Sequence, residues 1–277
     1  MTNKQDVLSA NIQLHTLLSE DYKNTEPHYR PENVRRVGNI LRYLADHTGG
    51  SSLIDVGCGQ GFIIDIAHKY FKKITGIDIT PAMLSKINPN EYHCDLKLVI
   101  SEIENMPFPD SIYDVCSAYA VLHHLSDLLP AFKEIYRILK KGGVFYSDTD
   151  PNYYFWEAFS TLPDNNSFNE IVVREINAIK YKDKEIEDNF NIPKQVMRNA
   201  EILKHVHGGF KEEDIKKMLY ETGFSSVEVK YEWFLGEAKI IHAGYSEEVA
   251  GIMRQHLQNI MPLSRHLFKY ISIFAVK

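Results

Sequence analysis

Several acids in this chain stand at the ends of short apolar runs, where carboxylates can face a ligand. Asp55 lies in "SSLIDVGCGQGFIIDIA", two residues ahead of Gly57, with Gly59 and Gly61 following at alternate positions. Glycines so spaced let the backbone turn tightly and approach a nucleotide. A carboxylate just before them repels a pyrophosphate and welcomes a cation. Asp78 closes the run "KITGID", 21 residues after Gly57, the separation at which an acid accepts from both hydroxyls of a ribose. Glu102 and Glu104 follow in "SEIENMPFPD", ahead of Pro107. A carboxylate there can accept from the exocyclic amine of adenine, and the next backbone amide, that of Ile103, can donate to the ring. In order, the site reads as adenine, ribose and then a positive charge.

The elements that must position these groups follow from periodicity. Strand-like runs ("SLIDV", "KITGID", "LKLVI", "YDVCSAY", "GGVFYSD", "SSVEVKYEWF", "YISIFAV") alternate with amphipathic stretches ("GFIIDIAHKYF", "PAMLSKI", "LLPAFKEIYRILKK", "KEEDIKKMLYETG"). Such alternation predicts an α/β fold with a parallel sheet covered on both faces. Gly142 and Gly223 fit left-handed caps for the last two helices. Before the first strand, Val34, Val37, Ile40, Leu41 and Leu44 recur at helical spacing behind Pro31, which suits a first turn. The expected organisation is a helical cap over 1–48, a Rossmann-like core over 49–150, a helical insert over 151–207, and the rest of the core over 208–277, with a second insert at 236–266.

With 277 residues, a net charge of −6 and a pI near 6.1, the chain is long enough to bury a core and lacks the basic balance of a broad nucleic-acid surface. Cys58, Cys94 and Cys116 are too scattered for a disulfide framework or a zinc knuckle. The sequence shows no signal core and no apolar run long enough to span a membrane, so the cytoplasm is the expected location.

S-adenosylmethionine is adenosine joined to a sulfonium and an amino acid, and it answers the order of groups read above. The sequence resembles the class I S-adenosylmethionine-dependent methyltransferases, in the small-molecule branch that includes ubiquinone-biosynthesis-type enzymes. The resemblance rests on "LIDVGCGQG", "GIDIT", "SEIENMPFPDSIYDV", "AYAVLHHL" and "LKKGGVFY", in order over roughly residues 50–150, and resumes at "FKEEDIKKMLYETGFSSVEV". It implies a Rossmann-like, doubly wound, mostly parallel seven-stranded sheet of order 3-2-1-4-5-7-6, its last strand antiparallel, with helical cap inserts. It implies cofactor contacts from Asp55, Gly57, Gly59, Asp78, Ile79, Glu102, Ile103 and Tyr119, with S-adenosylhomocysteine as product.

Methyl transfer is an in-line displacement, so much of its rate comes from positioning. A base is needed only if the acceptor arrives protonated. His123 and His124, beyond the fourth strand, are either that base or packing for the next helix. His124 is preferred, because the first histidine of this pair is often structural in the family. Tyr153, Tyr154 and Trp156, with Phe155 and Phe159, either line an acceptor pocket or form the core of the insert. Tyr22, His28 and Tyr29 belong to a segment that either folds over the cofactor or is an ordinary loop. His242, Tyr245 and His256 are further pocket candidates.

No metal set is assigned: Asp148, Asp150 and Asn152 lack a companion acid after the fourth strand, and His205 with His207 is a frequent accident. The expected partner is a small-molecule acceptor methylated on oxygen, nitrogen or carbon, with a homodimer left open. Two readings compete: methylation of a modified tRNA nucleotide, and a catalytically silent cofactor-binding subunit. A hydride-transferring dehydrogenase ranks last, because Asp55 disfavours a pyrophosphate.

Overall fold

A computed structural model describes residues 3–162, 168–242 and 246–277. The chain opens with α1 (Lys4–Leu18), α2 (Tyr22–Thr25) and α3 (Pro31–Thr48). Asn3 and Asp6 form a capping box at the start of α1, and α3 starts on Pro31 and stops at Gly49, whose φ of 82° supplies the left-handed cap. The core then runs β1 (Ser52–Val56), α4 (Phe62–Ala67), β2 (Lys73–Asp78), α5 (Pro81–Leu84), β3 (Asp95–Ile100), β4 (Tyr113–Tyr119), α6 (Leu128–Ile138) and β5 (Leu139–Pro151). After it come α7 (Tyr153–Ser160), α8 (Glu170–Phe190), α9 (Lys194–Ala200) and α10 (Ile202–His205). The chain finishes through α11 (Glu212–Thr222), β6 (Ser226–Phe234), α12 (Glu237–His242), α13 (Glu247–Asn259) and β7 (Phe268–Val276).

The strands form one sheet of order β3-β2-β1-β4-β5-β7-β6. β1 pairs parallel with β2 and β4, whereas β7 is antiparallel to both β5 and β6. All of β1 is buried, as a strand covered on both faces requires, and its run of Leu53, Ile54 and Val56 supplies the apolar side chains. One face packs Phe132, Ile135 and Ile138 of α6 and Ile215 and Leu219 of α11 against Phe145 and Ile273. The other packs Val37, Leu41 and Leu44 of α3 and Ile63 and Ile66 of α4 against Leu53 and Tyr146. A third, smaller core joins Ala10, Leu14 and Leu18 of α1 to Ile192, Met197 and Ala200. α1 and α9 thus pack against each other.

One expectation fails. Gly142 does not cap α6, although its φ is 77°. The helix ends at Ile138, Leu139 is already extended, and it pairs with Tyr113 of β4. Sheet pairing takes the chain before a glycine cap is reached. Gly223, with φ 118°, does cap α11.

Candidate functional site

The carboxyl ends of β1, β2 and β4 surround a cavity of about 80 Å³, roofed by α1. Gly57, Gly59, Asp78, Ile79, Ile103 and Tyr119 line it from the core, and Lys4, Asn11, His15 and Tyr22 from the N-terminal helices. At Gly57, φ is +68° and a Cβ would stand 2.2 Å from Val121 Cγ2, so only glycine lets this turn lie against β4. The Asp78 carboxylate accepts from the amides of Gly59 at 2.9 Å and Thr80 at 2.8 Å, which fixes it at the rim. A hydrogen-bond-accepting carboxylate beside a glycine turn, with Ile79, Ile103 and Met83 as apolar neighbours, is a lining that suits a nucleoside.

Asp55 and Glu102 stand apart from that lining. Asp55 is buried, 2% exposed, accepting from Ser117 Oγ at 2.7 Å. Burial, reinforced by the charge of Asp78, pushes its carboxyl up to about 7. Glu102 points outward, half-exposed, and is gripped by Lys4 of α1 at 2.8 Å. Glu104, from the same loop, lines the cavity instead and meets Lys4 at 3.4 Å. The loop was legible in the sequence; which glutamate turns inward was not, because both sit on irregular backbone without a period.

A second cavity, about 230 Å³, opens beside the first and shares His15, Tyr22, Tyr119, Ala120 and His124 with it. Its far wall comes from α8, α9 and β6, through Lys182, Asp183, Met197, Glu201 and Trp233, with Trp156 from α7. His28 lines it too, in an aromatic cluster with Tyr22, Tyr29, Phe62 and Tyr119; burial lowers this imidazole to about 4. Asn33 donates to the Tyr119 hydroxyl and the His28 carbonyl, both at 2.8 Å, locking that cluster. Three residues with left-handed backbone, Ala120, Thr149 and Trp233, have φ of 51°, 63° and 58° and all line this chamber. Backbone strain of this kind, about 1–2 kcal/mol per residue, concentrates at functional sites.

His123 and His124 occupy a 3₁₀ turn after β4. Nδ1 of His123 lies 3.0 Å from Asp150, whose Oδ1 also accepts from the His123 amide. Burial lowers His123 to about 4 and raises Asp150 to about 8. Nδ1 of His124 lies 2.8 Å from the carbonyl of Ala200. A carbonyl only accepts, so Nδ1 carries the proton and Nε2 keeps a lone pair. Burial first, then the neighbouring imidazoles of His123 and His15, keeps His124 uncharged. Asn11 of α1 donates to the His124 carbonyl at 3.0 Å, tying the roof to this turn.

Tyr153 and Tyr154, expected near the acceptor, line neither cavity. Tyr154 donates to Glu213 at 2.6 Å beneath the Arg265 guanidinium, and Tyr153 lies under Lys211. Both point towards α11 because Asn152 caps α7 while its amide group is held by the carbonyls of Arg265 and Phe268. His242 is outside the lining but holds Glu32, which lines the second cavity. His256 is exposed on α13, and Tyr245 lies outside the described residues. Asp148 is buried against Arg36, not beside Asp150 in a shared site. Sequence reasoning missed Lys4, Asn11, His15, Lys182 and Glu201. Their signal is the amphipathic pattern of α1, α8 and α9, which marks helices without saying what they cover.

The sheet order, the glycine turn and the acid at the end of β2 define a class: the Rossmann-like class I S-adenosylmethionine-dependent methyltransferases, whose cofactor is S-adenosylmethionine. Residues 54–147 match the methyltransferase domain family. It is 32% identical over 117 residues to a malonyl-[acyl-carrier protein] O-methyltransferase of Serratia marcescens, covering 42% of this chain and 44% of that one. The chain thus spans less than half the length of that relative. To a ubiquinone/menaquinone biosynthesis C-methyltransferase of Rickettsia akari it is 26% identical, covering 78% of this chain and 81% of the other. Among solved structures, a methyltransferase of Archaeoglobus fulgidus superposes with a TM-score of 0.54 at 19% identity, over 88% of this chain and 94% of that one. At that identity the likeness speaks for the fold. Among the described residues no helix is long and apolar enough to cross a membrane.

Proposed function

We propose that the protein methylates a small molecule seated in the larger cavity, leaving S-adenosylhomocysteine in the smaller one. The observation that carries this reading is the shared wall: His15, Tyr22, Tyr119, Ala120 and His124 border both chambers, so a nucleophile in one meets a methyl donor in the other. S-adenosylmethionine, when bound, supplies an electrophilic methyl carbon. The chain's own residues do the rest. Asp78 is placed for the ribose hydroxyls, Ile79 and Ile103 for the adenine, and Gly57 and Gly59 leave room for the methionine portion, with the Asp55 charge beneath. Tyr22 and Tyr119 hold the acceptor against the seam and exclude water. Where the acceptor arrives protonated, Nε2 of the uncharged His124 is the lone pair that receives the proton.

Residues 1–48, 151–207 and 236–266 supply the acceptor's specificity in this reading, since their helices wall the larger chamber. A pocket of that size takes a compact metabolite, and the names of relatives include acceptors methylated on oxygen and on carbon. The net charge of −6 weighs against a tRNA substrate. The test incubates the protein with methyl-labelled S-adenosylmethionine and a cell extract and follows the label by mass spectrometry. Label in a small metabolite is expected. Label in RNA replaces the acceptor class, and bound S-adenosylhomocysteine without transfer favours a silent subunit.

A further inference from the structure

The wall of the larger cavity carries a donor set of which the methyl-transfer reading uses only His124. His123, His124 and Glu201 each offer one ligand atom, and these atoms all lie within 4.8 Å of one another. We propose that this trio binds a divalent transition cation of the zinc type. Two imidazoles and a carboxylate are the ligands of catalytic zinc sites, which keep a further position open. Hard cations such as magnesium prefer an all-oxygen shell, which this trio does not provide.

The surroundings of each donor match what a metal ligand requires. A metal-bound imidazole has its other ring nitrogen held by a carboxylate or a carbonyl, which orients the ring. Nδ1 of His123 is held by Asp150 and Nδ1 of His124 by the carbonyl of Ala200, leaving Nε2 in each ring for a cation. Lys204 and His205 both meet Glu201 through Oε2, so Oε1 is unclaimed by either. Both histidine rings are held by protein hydrogen bonds, so the set is largely preorganised. Donors around a tetrahedral zinc at about 2.1 Å stand roughly 3.4 Å apart. One ring nitrogen of each histidine and one oxygen of Glu201 lie within 4.8 Å of one another, so those atoms close on a cation with shifts of about 1.5 Å or less.

The cation's open position faces the larger cavity, which His123, His124 and Glu201 all line. That consequence rests on reading the cavity as the acceptor chamber; the binding itself does not. Ligand and proton acceptor are the same imidazole, so the two states exclude one another. Metal-free protein keeps His124 as the base, and loaded protein presents a Lewis acid to the acceptor instead. A neighbouring trio, Asp183, Glu201 and His205, shares Glu201 and is the competing location.

The test is titration of metal-stripped full-length protein with zinc chloride by calorimetry, with cobalt(II) absorption reporting coordination. One equivalent binding at micromolar concentration or tighter, with the intense visible bands of a low-coordinate cobalt site, is expected. His124→Gln and Glu201→Gln should each lose it, and Asp150→Asn should weaken it about 10–100-fold as a positioning partner. His205→Gln should leave it in place. No saturable zinc binding by the wild type overturns the proposal, as does binding that survives His124→Gln and vanishes in His205→Gln. S-adenosylhomocysteine affinity, measured on the metal-free protein, separates the two readings: it persists if only the metal assignment fails.

Discussion

Replacing Asp55 with asparagine isolates the charge beneath the glycine turn. The native carboxyl titrates near 7 against an ordinary 3.8, chiefly because it is buried. Each tenfold change in proton affinity is worth about 1.4 kcal/mol, so the ionised side chain costs the fold about 4 kcal/mol above neutral pH. The sign follows from proton binding. Between the two values the folded state holds a proton that the unfolded state has released, so stability is full below about pH 4 and falls as pH rises through 7. Asparagine keeps the acceptor oxygen for Ser117 Oγ and removes the titration. The variant should therefore match the wild type near pH 4 and outlast it increasingly up to pH 7, with a constant gap beyond. At about 2–4 °C per kcal/mol, the ligand-free melting temperature at pH 8 should rise by roughly 8–16 °C. If Asp55 acts on the ammonium end as proposed, affinity for S-adenosylhomocysteine should fall at the same pH, because the charge beneath the glycine turn is gone. Thermal unfolding from pH 4.5 to 8.5, with calorimetry of the ligand, reads both. A stability gap that does not change with pH refutes the assignment of the cost to this carboxylate.

The other predictions concern the walls of the smaller cavity. Asp78→Ala removes the rim carboxylate and the acceptor for the Gly59 and Thr80 amides; hydrogen bonds to charged groups are worth about 1.5–3 kcal/mol, so affinity for S-adenosylhomocysteine should drop more than about tenfold. Unchanged affinity in calorimetry would remove Asp78 from the ribose. Gly57→Ala places a Cβ 2.2 Å from Val121 Cγ2 at φ +68° and should cost about 2–4 kcal/mol by denaturant unfolding, with part of the loss recovered by adding Val121→Ala. If the single variant unfolds like the wild type, the close approach is not real. Lys4→Gln breaks the link from α1 to Glu102 and Glu104. Exposed pairs contribute about 1 kcal/mol or less, so stability should hold while stopped-flow shows faster release of S-adenosylhomocysteine; an unchanged rate would mean that α1 does not gate the site.

The sequence by itself determined the parts governed by local pattern. Alternating apolar runs and helical periods prescribe the parallel core, because strands buried on both faces need continuous apolar residues, as β1 does. The glycines at 57 and 59 and the acid at 78 are legible because a tight turn and a strand end constrain residue types at short range. Only the tertiary structure decided what covers that core. Ala200 accepts from His124 across 76 residues of chain, and α1 meets α9 in a core of their own. An amphipathic helix declares that it must bury a face, but the partner is chosen by three-dimensional packing. That choice turned Glu104 inward and Glu102 outward, sent Tyr153 and Tyr154 to α11, and brought Glu201 to the histidine pair. Side-chain convergence over such separations depends on how the layers stack, which no local spacing records.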